Sequence, residues 1–81
     1  MEYELLLARS GTRAEKMQAL LRRRDIESSL VRPPMALTDR GCTYALKIRV
    51  RDRRRALEIL ETAGLAPSRV YHFDGERLVE Q

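Results

Sequence analysis

The apolar residues of this chain recur with two spacings. Between residues 2 and 8, Tyr3, Leu5 and Leu7 fall on one face and Leu6 and Ala8 on the other. That pattern predicts a strand apolar on both sides, suited to the middle of a sheet. Ser10 and Gly11 turn the chain, and Thr12 with Glu15 three positions on matches a capping box. A helix is expected over residues 13–24, burying Ala14, Met17, Leu20 and Leu21. Arg22, Arg23 and Arg24 fill its last turn, where cations suit the negative end of the helix dipole.

Residues 26–32 read as a short second strand, ended by Pro33 and Pro34, which cannot donate to a ladder. The clearest alternation comes later. Cys42, Tyr44, Leu46, Ile48 and Val50 share one parity, against Thr43, Ala45, Lys47 and Arg49 on the other, so one face is apolar and the other basic. Asp52 is the expected N-cap of a second helix over residues 53–63 that buries Ala56, Leu57, Leu60 and Ala63. Gly64 supplies its left-handed C-cap, with Pro67 just beyond. Residues 70–73 form a fourth strand, and Asp74-Gly75 is a hairpin signal into residues 77–79, which pair briefly at the edge.

Strand, helix, strand, strand, helix, strand is the split βαβ order. It predicts an α+β, ferredoxin-like βαββαβ sandwich, with two helices on one face of a four-stranded antiparallel sheet. A length of 81 residues allows one domain, 1–81, with a single two-layer core. The hydrophobic share of 43% and charged share of 35% fit a folded chain, not a disordered one. No apolar run approaches a membrane span, and the opening MEYELLLARS lacks the basic region and long apolar core of a signal peptide. The expected compartment is the cytoplasm.

One cysteine and one histidine are too few for a structural zinc site, and a lone cysteine cannot close an intramolecular disulfide. No cofactor is expected. The net charge of +4 leans toward anionic partners. Lys47, Arg49, Arg51, Arg53, Arg54 and Arg55 form a basic cluster whose bland reading is a solvated edge. RNA-reading sheets of this class stack bases on strand aromatics. The outward positions of the third strand are Thr43, Ala45, Lys47 and Arg49, so nucleic acid is not the expected partner. His72 lacks a partner visible in the sequence and reads as a packed or surface residue.

Residues 35–41 are neither helical nor cleanly alternating, and they lead into Gly41-Cys42. A thiolate is the reactive form of cysteine, and positive charge from Arg40, Lys47 and Arg49 would favour it. Gly41 would let another molecule's sulfur approach. Parity alone favours the opposite reading, a Cys42 buried as a small hydrophobe. The proline-stiffened loop at the mouth of the strand argues for an open rim and an accessible thiol.

The chain resembles the small putative selenium/sulfur carrier protein-like domains. The likeness runs through YELLLARSGTRAEKMQALLRRRDI, is strongest in Arg32-Pro33-Pro34 followed by residues 37–47, and continues through ALEILETAGL. Carried over to these positions, the resemblance implies that Cys42 is the attachment point of sulfur or selenium. It implies loop-shaping roles for Pro34 and Thr38, and access to the thiol through Gly41. Many members place glycine after the cysteine, whereas here Gly41 precedes it and Thr43 follows.

The resulting expectation is a carrier, not an enzyme. It would hold a persulfide or selenosulfide on Cys42, receive it from a donor such as a cysteine desulfurase, and pass it to an acceptor protein. Pro34, Thr38, Arg40, Gly41, Lys47 and Arg49 are the expected binding residues. The alternative is a small binding or regulatory module in which Arg40, Lys47 and Arg49 meet an anion or partner and Cys42 is incidental. Domains of this class also pair into homodimers through sheet edges or faces.

Overall fold

The computed structural model of the protein describes residues 1–34 and 44–81. Five strands and two helices follow one another as β1 (Tyr3–Ala8), α1 (Gly11–Arg23), β2 (Ser29–Val31), β3 (Tyr44–Ile48), α2 (Arg53–Thr62), β4 (Arg69–Phe73) and β5 (Leu78–Glu80). All five strands join one antiparallel sheet in the order β2-β3-β1-β4-β5. The fold is therefore α+β, with the expected two helices but one strand more than the four expected.

β1 is central, as its two apolar faces require. Leu6 and Ala8 face a core shared with Leu46 and Ile48 of β3 and with Ala14, Met17, Leu21, Ala56, Ile59 and Leu60 from both helices. Leu5 and Leu7 point to the other side, where they cluster with Ala45 and Tyr71 and no helix residue contributes. Both sides are buried, so the sheet carries core on each face although the helices cover only one.

The fifth strand arises from the turn after β4. Asp74 Oδ1 accepts from the backbone N–H of Glu76 (2.9 Å) and Arg77 (3.0 Å). This Asx geometry reverses the chain, so that Leu78 lies opposite Phe73 and Glu80 opposite Tyr71. The brief edge pairing expected of residues 77–79 is a three-residue strand, shifted by one residue.

Several boundaries move for local reasons. The N-cap of α1 is Ser10, whose hydroxyl accepts from Arg13 N–H at 3.1 Å; Thr12 lies inside the helix. β2 is shorter than expected because residues 24–26 finish α1. Asp25 adopts φ 64°, and Ile26 N–H returns to the Leu21 carbonyl at 2.9 Å. Val50 does not extend β3: it begins a 3₁₀ turn over Val50–Asp52 and is 39% exposed. Asp52 precedes α2 as expected, but its side chain makes no capping hydrogen bond. Ala63 is exposed and Ile59 takes its place in the core. Gly64 does end α2 in the left-handed region, at φ 73°, with Leu65 N–H donating to the Leu60 carbonyl at 2.8 Å.

Among the described residues no helix is long and apolar enough to cross a membrane.

Candidate functional site

The two ends of the sheet differ in chemistry. β3 begins at Tyr44, which is the Cα partner of Ala8 at the end of β1. α1 starts against the same tyrosine: a Cβ added at Gly11 would lie 3.1 Å from Tyr44 Cε2. Glycine is thus what lets the first helical turn approach the ring. From the other side the Arg32 guanidinium stands over Tyr44, 5.5 Å from the ring centroid. Arg13 Nη2 donates to the Gly64 carbonyl at 3.1 Å, and Ser68 N–H donates to the Leu7 carbonyl at 2.8 Å. These contacts gather the ends of β1 and α2, the starts of α1, β3 and β4, and the exit of β2.

Cys42, Gly41, Arg40 and Thr38 lie outside the described residues. Pro34, the last described residue before them, is exposed at this end, next to a buried Pro33. The other two expected binding residues sit elsewhere. Lys47 Nζ lies 4.5 Å from the centroid of the Tyr3 ring, and Tyr3 stacks on Phe73 with centroids 4.7 Å apart. Arg49 pairs with Glu27 at 2.6 Å. Lys47 and Arg49 border a cleft of ≈ 670 Å³ shared with Tyr3, Arg22, Glu27 and Ile48, at the far end of β3 from Tyr44. Alternation placed Lys47 and Arg49 on one face of the strand and well along it from its mouth; it could not give their contacts with Tyr3 and Glu27.

The same far end holds a polar cluster that the sequence reading missed. Glu4 is the buried charged residue of the described chain, 1% exposed. Its Oε2 lies 2.5 Å from His72 Nδ1, and its Oε1 lies 3.6 Å from Arg53 Nε. His72 Nε2 is 3.2 Å from Glu2 Oε1. Both ring nitrogens thus face carboxylate oxygens, an arrangement that suits a doubly protonated imidazolium. The hydrogen bond to Glu4 raises the His72 pKa above 6.5; desolvation opposes it, and the charges of Glu4, Glu2 and Asp74 add to it. One signal in the sequence did point here. Glu4 shares parity with Leu6 and Ala8, so a strand buried on that face must bury Glu4 as well.

A family model described as Putative Se/S carrier protein-like matches residues 2–72. The chain belongs to this family. The match spans both helices, β1 to β3 and most of β4, so the family assignment covers the framework that gathers around Tyr44 as well as Cys42 itself. β5 lies beyond it. Searches of curated proteins and of solved structures find no match. The family's name makes the chain carrier-like and agrees with a role other than catalysis.

Proposed function

We propose that this Se/S carrier-like chain holds a sulfur or selenium atom on Cys42 and passes it to an acceptor protein. The observation that carries the reading is the family match, which runs through Cys42. The scaffold supports it: the strand order β2-β3-β1-β4 with both helices on one side is that of a ferredoxin-like sandwich extended by β5. Cys42 is two positions before Tyr44 in the chain, and Tyr44 stands at the end of the sheet where Arg32 and the positive end of α1 converge. Positive charge in that neighbourhood favours the thiolate.

In the loading step the Cys42 thiolate attacks the terminal sulfur of a donor persulfide. A Cys42–sulfur bond forms, the donor's sulfur–sulfur bond breaks, and the donor cysteine leaves as a thiolate. Delivery repeats the exchange, with an acceptor thiolate attacking the terminal atom and Cys42 as leaving group. No external oxidant or reductant is required. Pro34 and Thr38 shape the loop in this reading, Gly41 gives access, and Arg40 adds charge.

The test is intact-mass measurement after incubation with a cysteine desulfurase and cysteine, or with a selenocysteine lyase and selenocysteine. A gain of one sulfur or selenium, absent in Cys42→Ser and reversed by a thiol, is expected. If an established carrier is loaded in the same reaction and this chain is not, the reading is wrong.

The cleft beside Lys47 and Arg49, where Glu2, Asp25 and Glu27 face Arg22, Lys47 and Arg49, favours a second reading, a small binding module with no thiol chemistry. Cys42→Ser separates the two, because a module keeps its binding and cellular role and a carrier loses transfer.

A further inference from the structure

We propose that the cleft between the end of α1, the approach to β2 and the end of β3 binds a short zwitterionic peptide of about three or four residues. The proposal goes beyond the carrier reading and needs nothing of Cys42. It supplies a ligand class for the binding-module reading.

The cleft follows from how the chain leaves α1. Asp25 at φ 64° and the bond from Ile26 N–H to the Leu21 carbonyl, 2.9 Å, turn the chain off the helix. β2 does not pair with β3 until Ser29, opposite Lys47, so residues 25–28 pass Ile48 and Arg49 outside the ladder. The space left is ≈ 670 Å³, within the range of about 300–1,000 Å³ that holds small ligands.

The charged side chains that line it are Arg22, Lys47 and Arg49 against Glu2, Asp25 and Glu27. This balance of signs disfavours a polyanion and a polycation alike, since either would meet like charges. Some of the charges are already committed. Arg49 pairs with Glu27 at 2.6 Å, and Glu2 Oε1 lies 3.2 Å from His72 Nε2. Arg22, Lys47 and Asp25 make no ion pair among the described residues. Lys47 Nζ rests 4.5 Å from the Tyr3 ring centroid, a contact that keeps its charge and leaves it without a carboxylate. Cations and an anion thus remain for a ligand that carries both signs.

These charges are spread along the cleft. Asp25 N–H donates to the Arg22 carbonyl at 3.1 Å, which sets both residues at the helix end. The pair of Glu27 with Arg49 lies between, and Lys47, opposite Ser29, marks the strand end. The backbone from Asp25 to Ser29 spans at most about 14 Å. An extended peptide advances about 3.3 Å per residue, so three or four residues reach from one end to the other. Its carboxylate meets Lys47 and its terminal ammonium meets Asp25, in charge-assisted hydrogen bonds. A single amino acid carries both charges on its Cα and engages one end only.

The experiment titrates ¹⁵N-labelled protein with tetra-alanine bearing free termini, with its N-acetylated and C-amidated forms, and with sodium sulfate. Tetra-alanine should shift the amides of Asp25, Glu27, Ser29, Lys47 and Arg49. Capping either terminus should weaken binding about three- to fivefold, the worth of one exposed charge pair. Asp25→Asn, which tolerates the left-handed backbone, should bind the free and acetylated peptides alike. Lys47→Gln should bind the free and amidated peptides alike. No shifts up to about 10 mM peptide, equal binding of capped and free peptides by the parent, or sulfate binding as tightly at the same residues would each overturn the proposal. So would a preference for the free terminus that survives in the matching variant. Cys42→Ser should bind tetra-alanine like the parent, and a weaker affinity would overturn the cleft's independence of the thiol. Peptide binding without sulfur loading of Cys42 would keep the cleft and sink the carrier, and loading without peptide binding would do the reverse.

Discussion

His72 and Glu4 meet across β4 and β1 as register partners, with Nδ1 and Oε2 2.5 Å apart and 68 positions between them in sequence. The hydrogen bond holds the imidazolium in the folded state, so the His72 pKa is raised above 6.5. A raised folded-state pKa means that His72 contributes its full share of stability below about 6.5. The contribution is lost as the pH rises through the raised value. Thermal midpoints should therefore fall across that window in the parent protein and stay flatter in His72→Gln. The titration of the His72 ring protons by NMR should have its midpoint above 6.5. A midpoint at or below that value would exclude the pairing. Asp74 works in the opposite sense. Backbone N–H groups of Arg77 and Glu76 hold its carboxyl below 3.8, so its contribution is present above that value and disappears as the pH falls through the lowered one.

Removing the Glu4 carboxylate tests the same cluster from its buried member. Glu4→Ala leaves the His72 and Arg53 donors facing an apolar gap, and a loss of about 2 kcal/mol is expected in urea unfolding. Glu2→Ala removes an exposed carboxylate 59% open to solvent and should cost less than about 0.5 kcal/mol. Equal effects would mean that burial of Glu4 does not set its importance.

The expected cap of α1, Thr12, and the observed one, Ser10, give a clean pair of substitutions. Ser10→Ala removes the hydroxyl that accepts from Arg13 N–H and should destabilise by about 1 kcal/mol. Thr12→Ala, inside the helix and exposed, should fall within about 0.5 kcal/mol of the parent.

Gly64→Ala isolates a backbone effect. No atom lies within 4 Å of the added methyl, so packing is untouched and the left-handed φ of 73° alone determines the cost. About 1 kcal/mol of destabilisation is expected; a neutral or stabilising result would show that the end of α2 rearranges.

Leu7→Ala asks whether the helix-free side of the sheet is core. Leu7 and Leu6 are both fully buried on opposite faces of β1, so each truncation should cost about 2–5 kcal/mol. A markedly smaller loss for Leu7 would show that its side of the sheet contributes little to folding.

What could be read from the sequence followed from local periodicity. The alternation around Leu46 and Ile48, the stripe Ala14–Met17–Leu21, and the glycine at the end of α2 each depend on residues within one turn or one strand. Thr12 is the cap that the spacing to Glu15 suggests and Ser10 the one observed; both precede an apolar run, and only backbone geometry separates them. The extra strand was visible as an Asp-Gly turn, but its register depends on pairing with Phe73 and Tyr71. Glu4 and His72 escaped for a different reason. Their link is a register between strands at opposite ends of the chain, and no local spacing encodes it. The run from Lys47 to Arg55 was conspicuous in the sequence, but the links of Arg49 to Glu27 and of Arg53 to Glu4 join segments that no local spacing brings together.

The position of β1 has a consequence for how the chain comes to be folded. The most apolar strand is made first, yet one of its two ladders pairs Leu5 with Tyr71 and Tyr3 with Phe73. Until residue 73 has been synthesised and released, Leu5, Leu6 and Leu7 have a partner on one edge at best. Contacts this distant in sequence are slow to form, and an unpaired apolar strand is prone to wrong association in the interval. Chains ending before Arg69 should therefore remain soluble only in the company of something that shields β1, and the segment from Arg69 onward closes the sheet.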